Sequence, residues 1–205
     1  MIEVLDLSFQ WGKTPLLEKL SFCVEKGKIA AILGPSGSGK STLFRILAGL
    51  VPDYLGVVLV NGNSSKNAQN QITMMCQEDL FLPWRTCLDN ILLVSELEKK
   101  TPDVKRAETL LFEVGLGDCL KLYPYQLSGG MKKRLALARA LFSRRPILLL
   151  DEPFVSVDVQ IKKELYALVK ELSHIHTCTI LFTTHDHNDV EALADTTYTI
   201  CQGAL

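Results

Sequence analysis

The sequence lacks most of what marks a secreted, membrane-spanning or nucleic-acid-coating chain. None of its six cysteines (Cys23, Cys76, Cys87, Cys119, Cys178, Cys201) belongs to a CxxC pair, and no basic start with an apolar middle opens it as a secretory leader would. The cysteines are expected to be reduced, buried, small hydrophobes in a cytosolic protein, with a structural zinc site as the alternative. Apolar runs such as ILLL at 147–150 fall far short of the ~20 residues that cross a bilayer. Any membrane role therefore comes through another chain. An excess of charge of either sign is also missing: 22 Lys and Arg against 23 Asp and Glu leave a net −1. That supplies no field for coating nucleic acid, and no nucleic-acid partner is expected. There is no internal repeat and no low-complexity segment.

What is present is an ordinary globular composition. With 205 residues, 47% hydrophobic and 22% charged, the chain suits a single domain that buries roughly 70% of the surface its unfolded form exposes. IEVLDLSF and LSFCVEKG (residues 20–27) predict two short strands in an antiparallel pair. IAAIL at 29–33 is a continuous apolar run stopped by Gly34, as expected of a parallel strand buried on both faces. STLFRILAGL then places Leu43, Ile46, Leu47 and Leu50 on one helical stripe, with Gly49 and Pro52 at its exit. VVLVNG predicts a further strand, and NSSKNAQNQ a polar surface loop. From about Leu88 to Ser143 the pattern is helical. PILLLD and TILFTTH are buried strands separated by the amphipathic helix VQIKKELYALVKEL, and TYTIC adds an edge. The fold expected is α/β: a mainly parallel sheet, an N-terminal antiparallel β part, and a helical insertion over 78–143 dividing a core of 1–77 and 144–205.

Two glycine-rich turns open helices, and one follows the buried strand 29–33. GPSGSGKST (Gly34, Pro35, Ser36, Gly37, Ser38, Gly39, Lys40, Ser41, Thr42) fits the P-loop pattern Gly-x-x-x-x-Gly-Lys-Ser. Its glycines let successive N–H groups point at phosphate oxygens, Lys40 supplies a point charge, and Ser41 can ligate Mg²⁺. ILLLDEP ends a hydrophobic strand on Asp151 and Glu152. Adjacent residues face different sides, so Asp151 would hold Mg²⁺ through water while Glu152 polarises an attacking water as general base. The second turn, LSGG at 127–130, leads into a basic amphipathic helix.

Together these segments resemble the ATP-binding cassette (ABC) ATPases over nearly the whole chain. LSGG is similar to that family's signature, Gln77 to the glutamine that opens its helical insertion, His185 to its switch histidine, and Ser156–Asp158 to its D-loop. Trp11 sits where the family places an aromatic ring against adenine; a core aromatic on an edge strand is the alternative. Met131 after LSGG and the wording FVSVD depart from the commoner pattern without removing a phosphate ligand. QEDLFLPWRTCLDN at 77–90 resembles importers of the nitrate, sulfonate and taurine kind.

The resemblance implies a RecA-like P-loop core that binds ATP and Mg²⁺. Glu152, His185 and Gln77 would be catalytic. Ser41, Gln77 and Asp151 would stand near the metal, and Asp158 near the nucleotide. Ser128, Gly129 and Gly130 would close over the ATP of a second copy in a homodimer. It further implies integral membrane permease subunits docked near Phe81, Leu82 and Trp84, a solute-binding protein, and a place on the cytoplasmic face of the membrane. An exporter or lipid-extraction ATPase, a soluble ABC protein and a P-loop kinase are the alternatives, the last having no need of LSGG. An HDH metal site at His185–His187 is a further alternative, and His174 with His176 reads as a solvated helix end. The chain closes on CQGAL, where many family members run on into further helices: a minimal or a shortened cassette, with no regulatory C-terminal domain expected.

Overall fold

A computed structural model describes residues 1–78 and 80–201. Asp79 within the 77–90 stretch and the last four residues of CQGAL lie outside the described residues. The chain opens with β1 (Ile2–Trp11) and β2 (Thr14–Val24), two long strands rather than short ones, joined across Gly12 and Lys13. They pair antiparallel from Ile2↔Val24 to Trp11↔Thr14. Three register shifts interrupt the hairpin, and two of them fall at Asp6 and Lys19, both with φ 49°. Serine hydroxyls absorb the displaced donors: the Asp6 N–H donates to Ser21 Oγ and the Lys19 N–H to Ser8 Oγ, each at 2.9 Å. β4 (Leu55–Val60) pairs with β1 and with the two-residue β5 (Asn63–Ser64), completing an antiparallel sheet ordered β2-β1-β4-β5.

The second sheet comprises β3 (Ile29–Leu33), β6 (Ile72–Met75), β7 (Ile147–Leu150), β8 (Thr179–Thr184) and β9 (Thr196–Thr199). It is ordered β6-β7-β8-β3-β9 and is parallel throughout. Strands β3, β7 and β8 are buried along their whole length. Alternation divides them between two apolar clusters. Ala30, Ile32, Ile147, Leu149 and Leu181 pack with α1 (Lys40–Leu47) and the antiparallel sheet. Ala31, Leu148, Leu150, Ile180 and Phe182 pack toward α2 (Cys87–Leu97), α3 (Val104–Glu113), α4 (Gly129–Phe142) and α5 (Val159–His176). A sheet covered on both faces explains why these strands read as unbroken apolar runs.

The structure corrects several expectations. Strand β6 falls where none was predicted, because ITMM is short and half-exposed in its middle. α6 (His187–Leu193) was also not anticipated. Leu50 is 65% exposed, beyond the end of α1. The loop NSSKNAQNQ contains β5 and two 3-10 turns and buries Ser65 and Ala68. All six cysteines are free, but only Cys87 and Cys178 are buried; Cys23 and Cys201 are exposed. His176 is not a solvated end: its Nε2 lies 2.9 Å from Glu113 Oε2, tying α5 to α3. Among the described residues no helix is long and apolar enough to cross a membrane.

Candidate active site

Four strands of the parallel sheet deliver the predicted residues at their carboxyl ends, where open α/β sheets bind ligands. Gln77 follows β6, Asp151 and Glu152 follow β7, His185 follows β8, and Gly34 begins the turn after β3. The strands hold one another in register here: the Asp151 N–H donates to Met75 O at 2.9 Å and the Gly34 N–H to Thr184 O at 3.1 Å.

The P-loop needs its glycines. Gly37 and Gly39 have φ of 81° and 95°, a region that L side chains rarely adopt. A Cβ on Gly39 would fall 2.6 Å from Leu17 Cδ2, and one on Gly34 2.8 Å from Ile200 O. Pro35, Ser36 and Gly37 form an exposed lip, whereas Ser38, Gly39, Lys40 and Thr42 are buried. The first N–H groups of α1, at Lys40, Ser41 and Thr42, have no acceptor within the helix and concentrate its positive dipole end. Ser38 Oγ is the one buried side-chain polar atom among the described residues without a hydrogen-bond partner. A cradle lined by N–H groups, one orphaned hydroxyl and a lysine fits a polyphosphate.

Lys40, 4% exposed, donates to Gly34 O at 2.8 Å and Pro35 O at 2.9 Å, and its Nζ lies 3.4 Å from Glu152 Oε1. Glu152 is the hub. Gln77 Nε2 donates to its Oε2 at 3.3 Å, and His185 Nδ1 stands 3.9 Å from the same oxygen. Its backbone leaves the extended region, with φ 46°; this turn, rather than strand alternation, separates the two carboxylates. The device that fixes the turn is Thr183, which the sequence did not single out. Fully buried, it donates from Oγ1 to Asp151 Oδ1 at 2.7 Å and accepts the Glu152 N–H at 2.9 Å. A threonine in an apolar strand carries no signal until its neighbours are known.

The other predicted residues stand apart from this cluster. Trp11, 56% exposed, meets Phe9 edge-on, with centroids 5.0 Å apart and planes at 88°. It is not a core aromatic, and its face is open to stack on a flat ring. Ser128 caps α4, accepting the Met131 N–H at 3.3 Å, and no hydrogen bond joins residues 127–130 to the P-loop among the described residues. Gly129 is exposed with open space where a Cβ would go, whereas a Cβ on Gly130 would sit 2.7 Å from Ile161 Cγ2. The link from α4 to the hub is Lys133, whose Nζ donates to Gln77 O at 3.0 Å. Asp158 caps α5, accepting from the N–H groups of Gln160 and Ile161. Phe81 is half-buried beneath the Arg139 guanidinium, 4.7 Å from its centroid, while Trp84 is 71% exposed.

The metal alternatives find no support in the arrangement. Among the described residues no three His, Cys, Asp or Glu side chains cluster to hold an ion, at the HDH triplet or elsewhere. Burial, aided by Asp151, pushes the Cys76 thiol up from its ordinary value. The oxygens of Ser41, Asp151 and Gln77 suit a different arrangement, a hard dication held jointly with phosphates rather than by an all-protein cage.

Known proteins match this arrangement. The family model for ABC transporter matches residues 17–155. An aliphatic sulfonates import ATP-binding protein (SsuB 1) of Rhodococcus jostii is 38% identical over 95% of this chain and 76% of its own length. A thiamine import ATP-binding protein (ThiQ) of Aliivibrio fischeri is 37% identical over 98% and 88%. The solved dimer of the bacterial ABC transporter cassette MJ0796 superposes with a TM-score of 0.86 at 25% identity, covering 100% of this chain and 96% of that one. The same cassette has also been solved as a post-hydrolysis dimer bound to ADP and phosphate. The chain belongs to the ABC transporter family, as an ATP-binding and ATP-hydrolysing cassette.

Proposed function

We propose that the chain is the ATPase of an importer, a homodimer on the cytoplasmic face of the membrane beneath permease subunits of separate chains, served by a solute-binding protein. The observation that carries the ATPase part of this reading is the convergence of Lys40, Gln77 and His185 on Glu152 at the carboxyl edge of the sheet; the import part is supported by the import proteins the chain resembles. The import relatives are named for different cargoes, aliphatic sulfonates and thiamine. Cargo choice then rests with the chains that touch the solute.

In this reading adenine stacks on Trp11 and the phosphates lie on the N–H groups of residues 36–42. A γ-phosphate reaching Lys40 competes with Glu152 for the ammonium, and so frees the carboxylate to accept a proton from water. Gln77 and His185, both within reach of that carboxylate, orient the water and the phosphate. Mg²⁺, when bound beside Ser41, Asp151 and Gln77, supplies charge neutralisation of the phosphates. Thr183 keeps Asp151 and Glu152 turned to their separate tasks. Ser128, Gly129 and Gly130, turned outward at a helix N-terminus, complete the partner's nucleotide site, and an isologous pair makes two such sites.

The helical segment 78–143 passes motion to the membrane. A groove of about 480 Å³ runs between the end of α1, β6, α2 and α4, lined by Leu50, Met74, Leu80, Leu93 and Leu97 with Ala140. Exposed apolar surface of this kind suits a permease segment. Mixing variants tests the composite site. Lys40→Ala and Ser128→Arg should each be inactive alone, yet an equimolar mixture should regain turnover, because mixed dimers hold one site with both surfaces intact. No regain in a mixture shown to exchange subunits overturns the shared site.

A further inference from the structure

His185 stands between two residues that are pinned from elsewhere. On one side, Thr184 donates its hydroxyl to Asp189 Oδ2. On the other, the Asp186 N–H donates to Thr184 Oγ1 at 3.0 Å, and the Asp186 carboxylate caps α6 by accepting the Asn188 N–H at 2.9 Å. Both carboxylates then reach one cation on a different element. Lys162 Nζ lies 3.0 Å from Asp186 Oδ2 and 3.1 Å from Asp189 Oδ1. Tyr166, one turn further along α5, donates its hydroxyl to Asp189 Oδ1 as well.

The position of the cluster gives it a purpose. Asp189 is 2% exposed, and a charge so buried is retained only where partners surround it. It has three donors, from Lys162, Tyr166 and Thr184. Tyr166 also meets Phe154 edge-on at 4.8 Å, and Phe154 lies two residues beyond Glu152. Lys162 lies one turn beyond Asp158, the cap of α5. One face of α5 therefore touches both the segment that carries the general base and the turn that carries His185. Hydrogen bonds from Lys162 and then from the Asn188 N–H hold the Asp186 carboxyl down at about 2. Burial of Lys162 works against its charge, but its bonds to Asp186 and Asp189 outweigh that and raise its pKa.

We propose that Lys162, gripped by Asp186 and Asp189 and backed by Tyr166, is a positioning residue that sets His185 against Glu152. It would act through the histidine rather than on the nucleotide, so the inference rests on the role given to His185 above. Lys162 thereby makes the 152–158 segment and the His185 turn move as one body.

The test uses the full chain and reads ATP turnover together with the ring signals of histidine labelled with nitrogen-15, the His185 signal being assigned by its loss in His185→Ala. Lys162→Gln should lower kcat roughly tenfold or more, since small misplacements of reacting groups cost up to about 10², while the KM for ATP stays within about twofold because Trp11 and the P-loop are untouched. Lys162→Arg should restore kcat to within about threefold. Tyr166→Phe keeps the ring packing, and so stays informative if Lys162→Gln fails to fold; it should lower kcat a few-fold. Both variants should shift or broaden the His185 signal. A folded Lys162→Gln with kcat within twofold of the parent, or an unchanged His185 signal in Tyr166→Phe, overturns the proposal. If His185→Ala itself keeps full turnover, the fault lies instead in the role assigned to the histidine.

Discussion

The two glycine-rich turns of this chain do opposite things with their hydrogen bonds. Around the P-loop the donors fold back on the molecule: Lys40 reaches Gly34, Pro35 and Glu152, and Thr183 clamps both carboxylates. At residues 127–130 the one side-chain bond among the described residues, accepted by Ser128 Oγ from the Met131 N–H, stays within its own helix, and Gly129 looks into open space. The P-loop thus has its lysine and carboxylates braced by the rest of the chain, whereas the turn at 127–130 does not, and under the reading proposed above that contrast is what a surface displayed to a second copy requires.

The contrast makes its strongest demand at the hub. Glu152→Gln should lower turnover by on the order of 10² to 10⁴ while ATP still joins two copies, measured by hydrolysis assay and by size-exclusion chromatography with ATP. Next in size is Trp11→Ala, which removes a stacking platform worth about 1–3 kcal/mol per base. It should raise the KM for ATP by roughly tenfold with little change in kcat, visible in initial-rate kinetics.

The glycines of the outward turn differ between themselves. Gly130→Ala forces a Cβ to within 2.7 Å of Ile161, and overpacking of this sort costs about 1–3 kcal/mol. Gly129→Ala meets nothing and should leave the thermal midpoint unchanged, so calorimetry on the pair separates packing from display. The smallest effect is electrostatic. Asp186 has its pKa depressed from 3.8 to about 2, so its contribution is in place above about pH 4 and is lost as the pH falls through 2. Asp186→Asn should therefore flatten the acid limb of the unfolding curve by about 1 kcal/mol after allowance for solvent screening. Residues 127–131, which include no ionisable side chain, contribute no such limb.

How legible each part was follows from how local its cause is. IAAIL, ILLL and TILFTT declare themselves because a strand buried on both faces has no polar side to hide in. GPSGSGKS declares itself because positive φ and close approach at Gly39 admit no other residue. ITMM gave no such cue: paired on one edge only, it alternates weakly, and its role comes from lying beside β7. Thr183 and Lys162 stayed hidden for a related reason. Each is ordinary in its own segment and gains meaning from partners distant in sequence, Asp151, 32 residues away, for the first and Asp186 with Asp189, 24 and 27 residues away, for the second. The cysteines misled because composition reports compartment and average burial, not which side of an edge strand Cys23 occupies.

The left-handed backbone at Glu152, φ 46°, also bears on how this protein can evolve. A side chain held in that region costs of order 1–3 kcal/mol, a cost that glycine would escape. Glycine here would also strip the ion-pair partner from Lys40, whose side chain is 4% exposed, and breaking a buried pair by removing one partner costs about 3–5 kcal/mol, more than the strain relieved. Durability and turnover therefore pull this position the same way, and a laboratory selection for heat resistance alone would keep the carboxylate.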